Sequence, residues 1–421
     1  MKVSYIGKLS LVLGLTWGLG GLDRLMVAFA APGYMPALGL DFTQLGLIAA
    51  ANAFGVAIGA WTVGPLSEFY GRRLGAVWGN LAEHVFSALS GLVGSFFAMF
   101  GVRGLMGTCV GALYGPSYAA ISEEAPPERR GHYVGFAQSF WPLIGMGFGP
   151  VLAGYLMTYV GWRWSFFVVA VPGVCLTLWL ARFMREPPST AENIRRRRQT
   201  GASRLVHEGR EVHFWDVLKY RNILLTSLLS IGSMAYLYVL FTFVPVFFGK
   251  VHGLNAVETG WVMCGGGFLV WAGQNLMPRV SDRIGRKPAL AILYASAAVG
   301  GALFATAPTH ASFVRLALYF TLFCAGLASY PIFLGLVPTE SVPFTIAATA
   351  VALPQGLGEV IGATVFPAVG GRIADVYGLP YTMWMVVAAC TFCLVATVFL
   401  KETAPVVLAA RARSGGARPV S

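Results

Sequence analysis

The sequence predicts an all-α polytopic membrane protein of twelve transmembrane helices, built as two pseudo-symmetric six-helix bundles. Three observations carry this. The 421 residues are 56% hydrophobic and only 11% charged, with a mean hydropathy of +0.67. A water-soluble chain carries about 25% charged residues to clothe its surface, so the surrounding solvent here is lipid. Twelve apolar runs approach the length that crosses a bilayer, about 20 residues of helix. The two halves of the chain also repeat one another at a nearly fixed offset, the mark of an internally duplicated fold.

The runs are 9–34, 43–63, 74–94, 96–119, 132–157 and 163–183, then 222–248, 257–277, 288–307, 311–335, 345–368 and 380–400. The first is too long for a signal-peptide core and reads as an uncleaved span, although Ala28-Phe29-Ala30 mimics a cleavage site. The polar stretch 184–221 separates the sets, giving an N-terminal bundle 1–183, a linker 184–221, a C-terminal bundle 222–401 and a tail 402–421. Fifty-two glycines suit helices whose backbones approach closely in lipid. The six cysteines all lie in apolar runs, so Cys390-x-x-Cys393 reads as one helix face and not as a redox or zinc motif.

Orientation follows from Lys and Arg, which accumulate in cytoplasmic loops. With the N-terminus inside, 24 of the 30 basic residues fall on one side, and both termini are cytoplasmic. The net charge of +12, including the run Arg195–Arg198, is then a matter of topology, and no nucleic-acid partner is expected.

Ser67-Glu68-Phe69-Tyr70-Gly71-Arg72-Arg73 recurs as Ser281-Asp282-Arg283-Ile284-Gly285-Arg286-Lys287, an offset of 214. Gly39 and Gly46 recur as Gly253 and Gly260, Gly154 and Gly161 as Gly371 and Gly378, and Arg103 as Arg315. Parallel duplication of this kind implies a pseudo-two-fold axis along the membrane normal, with a central site between the halves. Gly64-Pro65-Leu66-Ser67-Glu68-Phe69-Tyr70-Gly71-Arg72-Arg73 resembles the loop signature of the major facilitator superfamily, with Glu68 for Asp, Phe69 for a basic residue and, in the second copy, Pro278 for Gly. The resemblance covers nearly the whole chain. It implies a cytoplasmic gate formed by Gly64, Glu68, Gly71, Arg72 and Arg130 with Asp282, Gly285 and Arg286, latching that side in the outward-open state.

An ionisable residue inside the bilayer costs about 2.5–3.5 kcal/mol on insertion scales and is a functional candidate for that reason. Asp23-Arg24, followed by Ala30-Ala31-Pro32, resembles the first span of the anion:cation symporters and, less closely, of the aromatic-acid:proton symporters. Arg103 stands where those families carry an arginine, whereas Val110 stands where some carry an acid. The resemblance implies proton-coupled import of a small organic carboxylate. Arg24 and Arg103 are the expected substrate clamp, since a guanidinium offers a carboxylate two parallel donors, and Asp23 and Glu359 are the expected proton-coupling acids. Tyr34, Asn52, Gln138, Trp141, Tyr236, Tyr330 and Gln355 are the expected pocket. Glu83 and His84 read as structural, because the superfamily's third span is peripheral.

Gly145-x-Gly147-x-Gly149-Pro150-x-x-Ala153-Gly154 resembles part of the antiporter signature, so proton-driven efflux of lipophilic compounds is the alternative. A membrane enzyme or receptor is not expected. No soluble segment reaches forty residues, and no nucleotide loop, metal cluster or nucleophile elbow is present in the sequence. The expected partners are the organic anion, protons and the lipid bilayer. No cofactor or metal is expected, and the protein is expected to be a monomer in a bacterial inner membrane.

Overall fold

The computed structural model describes residues 4–126, 129–187, 191, 195, 214–309, 311–342, 347–404 and 406–408; the side chains at 63–69, 114, 130–131, 214–216 and 347–349 fall outside it. Twelve rods run back and forth. The first six are α1 (Tyr5–Phe29, continuing after a break at Ala30 as Ala31–Leu38), α2 (Phe42–Tyr70), α3 (Arg72–Leu89), α4 (Phe96–Glu124), α5 (Arg130–Gln138, Trp141–Phe148 and Gly149–Tyr159) and α6 (Gly161–Phe183). The second six are α7 (Arg221–His252), α8 (Ala256–Ile284), α9 (Arg286–Ala305), α10 (Phe313–Phe323 onward to Ser341), α11 (Ala347–Leu357, Gly358–Ala363 and Thr364–Tyr377) and α12 (Pro380–Val398). Most of linker 184–221 and of tail 402–421 lies outside the described residues, Arg196–Arg198 included.

Ten of the spans satisfy length and hydropathy limits for crossing a membrane. The other two rods, α3 and α8, carry charged residues at their ends and, in α3, Glu83 within, which dilutes their apolar character. The helices overrun the apolar runs because their caps sit beyond the hydrocarbon. Ser95 accepts from the amide of Ala98, Ser312 from that of Arg315, and Asn255 with Glu258 forms a reciprocal capping box.

Lipid offers no hydrophobic drive between helices, so close packing holds them together. α2 and α4 interlock through Gly55, Gly59, Gly107 and Gly111, each facing the other helix's backbone where a Cβ would collide. The same device joins the two halves, and it obeys the repeat. Gly46 of α2 meets the Pro367 carbonyl of α11, and Gly371 of α11 meets that of Phe42. Gly260 of α8 meets the Pro150 carbonyl of α5, and Gly154 of α5 meets that of Ala256. These four contacts lie at the end away from the interdomain linker, here called the far end. There the Asp375 carboxylate also accepts from the amides of Phe42 (3.1 Å) and Thr43 (2.7 Å) and from the Thr43 hydroxyl (2.5 Å), capping α2 from the opposite half. The far end is therefore the closed end.

At the linker end the described hydrogen bonds and ion pairs stay within each half, and they too come in pairs. Gly71 (φ 118°) and Gly285 (φ 104°) take turns that a side chain would strain. Just beyond, Glu186 accepts from the amides of Arg72 (2.5 Å) and Arg73 (3.2 Å), while Glu402 accepts from those of Arg286 (2.8 Å) and Lys287 (3.2 Å). Each carboxylate caps the start of a helix, where the dipole favours negative charge.

Candidate functional site

Among the described residues three rods contain a π-helical stretch: Trp141–Phe148 in α5, Pro331–Leu336 in α10 and Gly358–Ala363 in α11. Such stretches concentrate at functional sites because they re-aim side chains. Two of them flank the centre of the molecule and carry Trp141 and Glu359.

At that centre the Arg24 guanidinium of α1 crosses from one half to the other. Its Nη2 donates to Glu359 Oε2 of α11 at 3.2 Å, and its Nε donates to Asn52 Oδ1 of α2 at 2.9 Å. Its face rests 4.8 Å from the ring of Tyr238 on α7. Gln355, one turn before Glu359, donates to its other oxygen at 3.4 Å. A small cavity opens beside the guanidinium, lined by Arg24, Asn52, Trp141, Tyr238, Phe241 and Thr242 together with aliphatic side chains. It holds about 30 Å³, room for a water or two, so a carboxylate enters only as side chains withdraw.

Asp23 faces elsewhere. Adjacent helical residues point about 100° apart, and Asp23 turns into the N-terminal half, fully buried. Its Oδ2 lies 2.5 Å from His84 Nδ1, and its Oδ1 accepts from Ser87 Oγ at 2.7 Å. Arg103 is buried behind it. Nη1 donates to the Asp23 main-chain carbonyl at 2.8 Å, and the guanidinium packs 4.9 Å from the Phe166 ring. Asn52 Nδ2 donates to the Arg103 carbonyl at 3.1 Å, joining this cluster to Arg24.

Several expectations are corrected here. Arg103 does not line the cavity in this conformation but lies inside its own half, where its Nε and Nη2 have no hydrogen-bond partner among the described residues. Tyr236 is fully buried in the C-terminal half and donates to the Phe323 carbonyl, whereas Tyr238, on the opposite side of α7, meets the cavity. Tyr34 is buried against Trp162, its rings 6.0 Å apart, and its hydroxyl has no hydrogen-bond partner among the described residues. Gln138 is exposed and donates to the Tyr118 hydroxyl at 2.5 Å, and Tyr330 donates to Met234 Sδ at 2.9 Å; neither lines the cavity. His84, expected to be structural, is bonded to Asp23. Arg315, the repeat mate of Arg103, is exposed.

Of the gate residues, the side chains of Glu68 and Arg130 lie outside those described, as does that of Gly64's segment. Arg72 pairs with Glu123. Arg286 pairs with Asp282 (2.7 Å) and Glu340 (2.7 Å). These pairs tie each half to itself in this conformation. The repeat offset held the signal for them: Glu123 and Glu340 differ by 217, Glu186 and Glu402 by 216.

A charged pair bridging two pseudo-symmetric six-helix halves, beside a cavity at mid-membrane, defines a membrane transport protein. Residues 13–358 match the model of the Major Facilitator Superfamily, and the chain belongs to that family. It is 27% identical over 396 residues to a probable 4-methylmuconolactone transporter of Cupriavidus pinatubonensis, covering 91% of this chain and 86% of that one. It is 23% identical over 385 residues to a cis,cis-muconate transport protein of Acinetobacter baylyi, covering 91% of each. In fold it resembles an inward-facing, unoccupied bacterial homologue of the human lysosomal transporter Spinster, with a TM-score of 0.71 at 18% identity, over 94% of this chain and 98% of that one.

Proposed function

We propose that the protein imports a small organic carboxylate together with protons by alternating access. The observation that carries this is the Arg24–Glu359 pair. A guanidinium at the meeting plane of the halves is neutralised by an acid from the opposite half, beside an apolar cavity. Protonation of Glu359 releases Arg24, and the incoming carboxylate takes its place, so substrate and proton bind together. Asp23 supplies a second acid one residue away. The relatives named for muconate and a methylmuconolactone, both carboxylates, support the substrate class. A single cationic anchor at the cavity suits an anion better than the cations and lipophiles of an efflux pump.

In this reading the far end faces outward and is closed, so the conformer is inward-open. The distribution of basic residues supports a bacterial inner-membrane protein with both termini cytoplasmic. A monomer is sufficient, since the site is complete within one chain.

The test is uptake by proteoliposomes under an imposed pH gradient, across a panel of organic carboxylates and a few cationic dyes. Carboxylate accumulation driven by outside acid is expected. Glu359→Gln, which mimics the protonated acid, should bind substrate and exchange it but lose gradient-driven accumulation. Accumulation of dyes alone would overturn the proposal in favour of efflux.

A further inference from the structure

We infer that His84 is a proton-carrying residue of the transport cycle, and that His84 and Asp23 hold one transported proton between them. This rests on the reading of the chain as a proton-coupled importer. His84 and Asp23 are both fully buried, and their 2.5 Å contact places a single proton between an imidazole nitrogen and a carboxylate oxygen. His84 Nε2 makes no hydrogen bond among the described residues, which leaves it open to a second proton.

The surroundings are shaped for the ring. On α6, Gly173 stands over the imidazole, and a Cβ there would collide with three ring atoms. On α1, Gly20 makes room one turn before Asp23 for the carboxylate of Glu83, the neighbour of His84 on α3. The charged groups facing the imidazole are Asp23 from α1 and Glu83 from its own helix; Arg103 from α4 and Arg24 face the same cluster through Glu83. α6 presents only Gly173 among the contacts described.

The charge count then matters. Arg24 is matched by Glu359, which leaves two carboxyl groups, Asp23 and Glu83, to the single cation Arg103 when His84 is neutral; with both ionised the group is one charge negative. An unbalanced charge in a dry interior is expensive, and one proton on this group removes it. Two or more sites this close titrate as a unit, so the proton belongs to the cluster. On loading, the proton adds to the imidazole–carboxylate pair. On release it leaves, and no other bond forms or breaks.

Hydrogen bonds joined through the covalent frames of Asp23 and Arg103 connect this pair to the cavity. The path runs from the Asp23 main-chain carbonyl to the Arg103 side chain, from the Arg103 main-chain carbonyl to Asn52, from Asn52 to Arg24, and from Arg24 to Glu359. Loading of His84–Asp23 can therefore bias how Arg24 is held, and by reciprocity substrate at Arg24 favours the loaded pair.

The experiment uses purified full-length protein in proteoliposomes, with cis,cis-muconate as the probe. A gradient of one pH unit supports about tenfold accumulation per coupled proton. Wild type should accumulate the probe, and failure to do so would count against the proposed function, not against His84 in particular. His84→Gln should exchange probe for probe at near wild-type rate while its gradient-driven accumulation falls by about tenfold, the share of one coupled proton. Retained accumulation with an unchanged pH profile would overturn the inference. A second comparison covers a poorly folding single variant. Exchange by Asp23→Asn should still vary with pH through His84, and Asp23→Asn/His84→Gln should lose that component while keeping the one that Glu359 carries. Identical profiles in Asp23→Asn and Asp23→Asn/His84→Gln would show that His84 binds no proton, and would equally overturn it.

Discussion

Arg24→Lys isolates what the guanidinium contributes beyond its charge. In the resting arrangement Arg24 anchors on Asn52 through Nε and presents Nη2 to Glu359. A substrate carboxylate replacing Glu359 receives the outer donors while the anchor stays made. A lysine ammonium is one point charge and cannot both hold Asn52 and offer a two-pronged grip. The loss is at least one hydrogen bond to a charged group, about 1.5–3 kcal/mol, or roughly 10- to 150-fold in affinity. Equilibrium binding of a labelled unsaturated carboxylate to purified protein measures it directly. Arg103→Lys is the internal contrast. Arg103 reaches the Asp23 carbonyl and Phe166, not the cavity, so its replacement should lower thermal stability and change affinity by less than about threefold. If Arg24→Lys binds within about threefold of wild type, Arg24 is not the anchor; equal losses in both variants would restore a two-arginine clamp.

Two further outcomes follow from the ends of the molecule. Asp375→Ala removes the cap that α11 places on α2, a contribution of about 1 kcal/mol, and should shift the population toward outward opening by roughly fivefold. Labelling of cysteines introduced near the far end measures this, and unchanged labelling argues against a latch there. Glu402 is partly buried, which raises its pKa, but four amide donors from Ala404, Arg286, Lys287 and Thr403 outweigh burial and leave it lowered. A lowered carboxylate stabilises the fold above its unfolded value and loses that contribution as pH falls through the folded one. Glu402→Gln should therefore melt lower than wild type at neutral pH, with the gap closing below about pH 4; a pH-independent gap would refute the argument.

The site was legible where a residue type is costly in lipid. Asp23, Arg24, Glu83, His84, Arg103 and Glu359 all stand out, because an ionisable group in an apolar run demands a reason. Which of them meet was not legible. Asp23 and Arg24 are neighbours in sequence, yet one faces α3 and the other the opposite half, and no spacing rule says which helix lies on which side. Tyr236 and Tyr238 show the same limit. α7 is buried on nearly every side between Ser227 and Phe248, so no polar face marks the direction of the cavity.

Composition determined by itself that the chain lies in a membrane, since 11% charged residues cannot cover a surface facing water. The repeat determined its two-fold plan, down to the glycines at 46, 154, 260 and 371 that prove to join the halves. Those features are local: a span must be apolar along its length, and a tight crossing must lack a side chain at one position. Pairing is not local. The tertiary structure decided that Arg103 would donate to a main-chain carbonyl in its own half, that His84 would hold Asp23, and that Glu359 would reach Arg24 across 335 residues of chain. Each depends on the rotation of one helix against another, and in lipid that rotation is set by the close packing of whole helix faces.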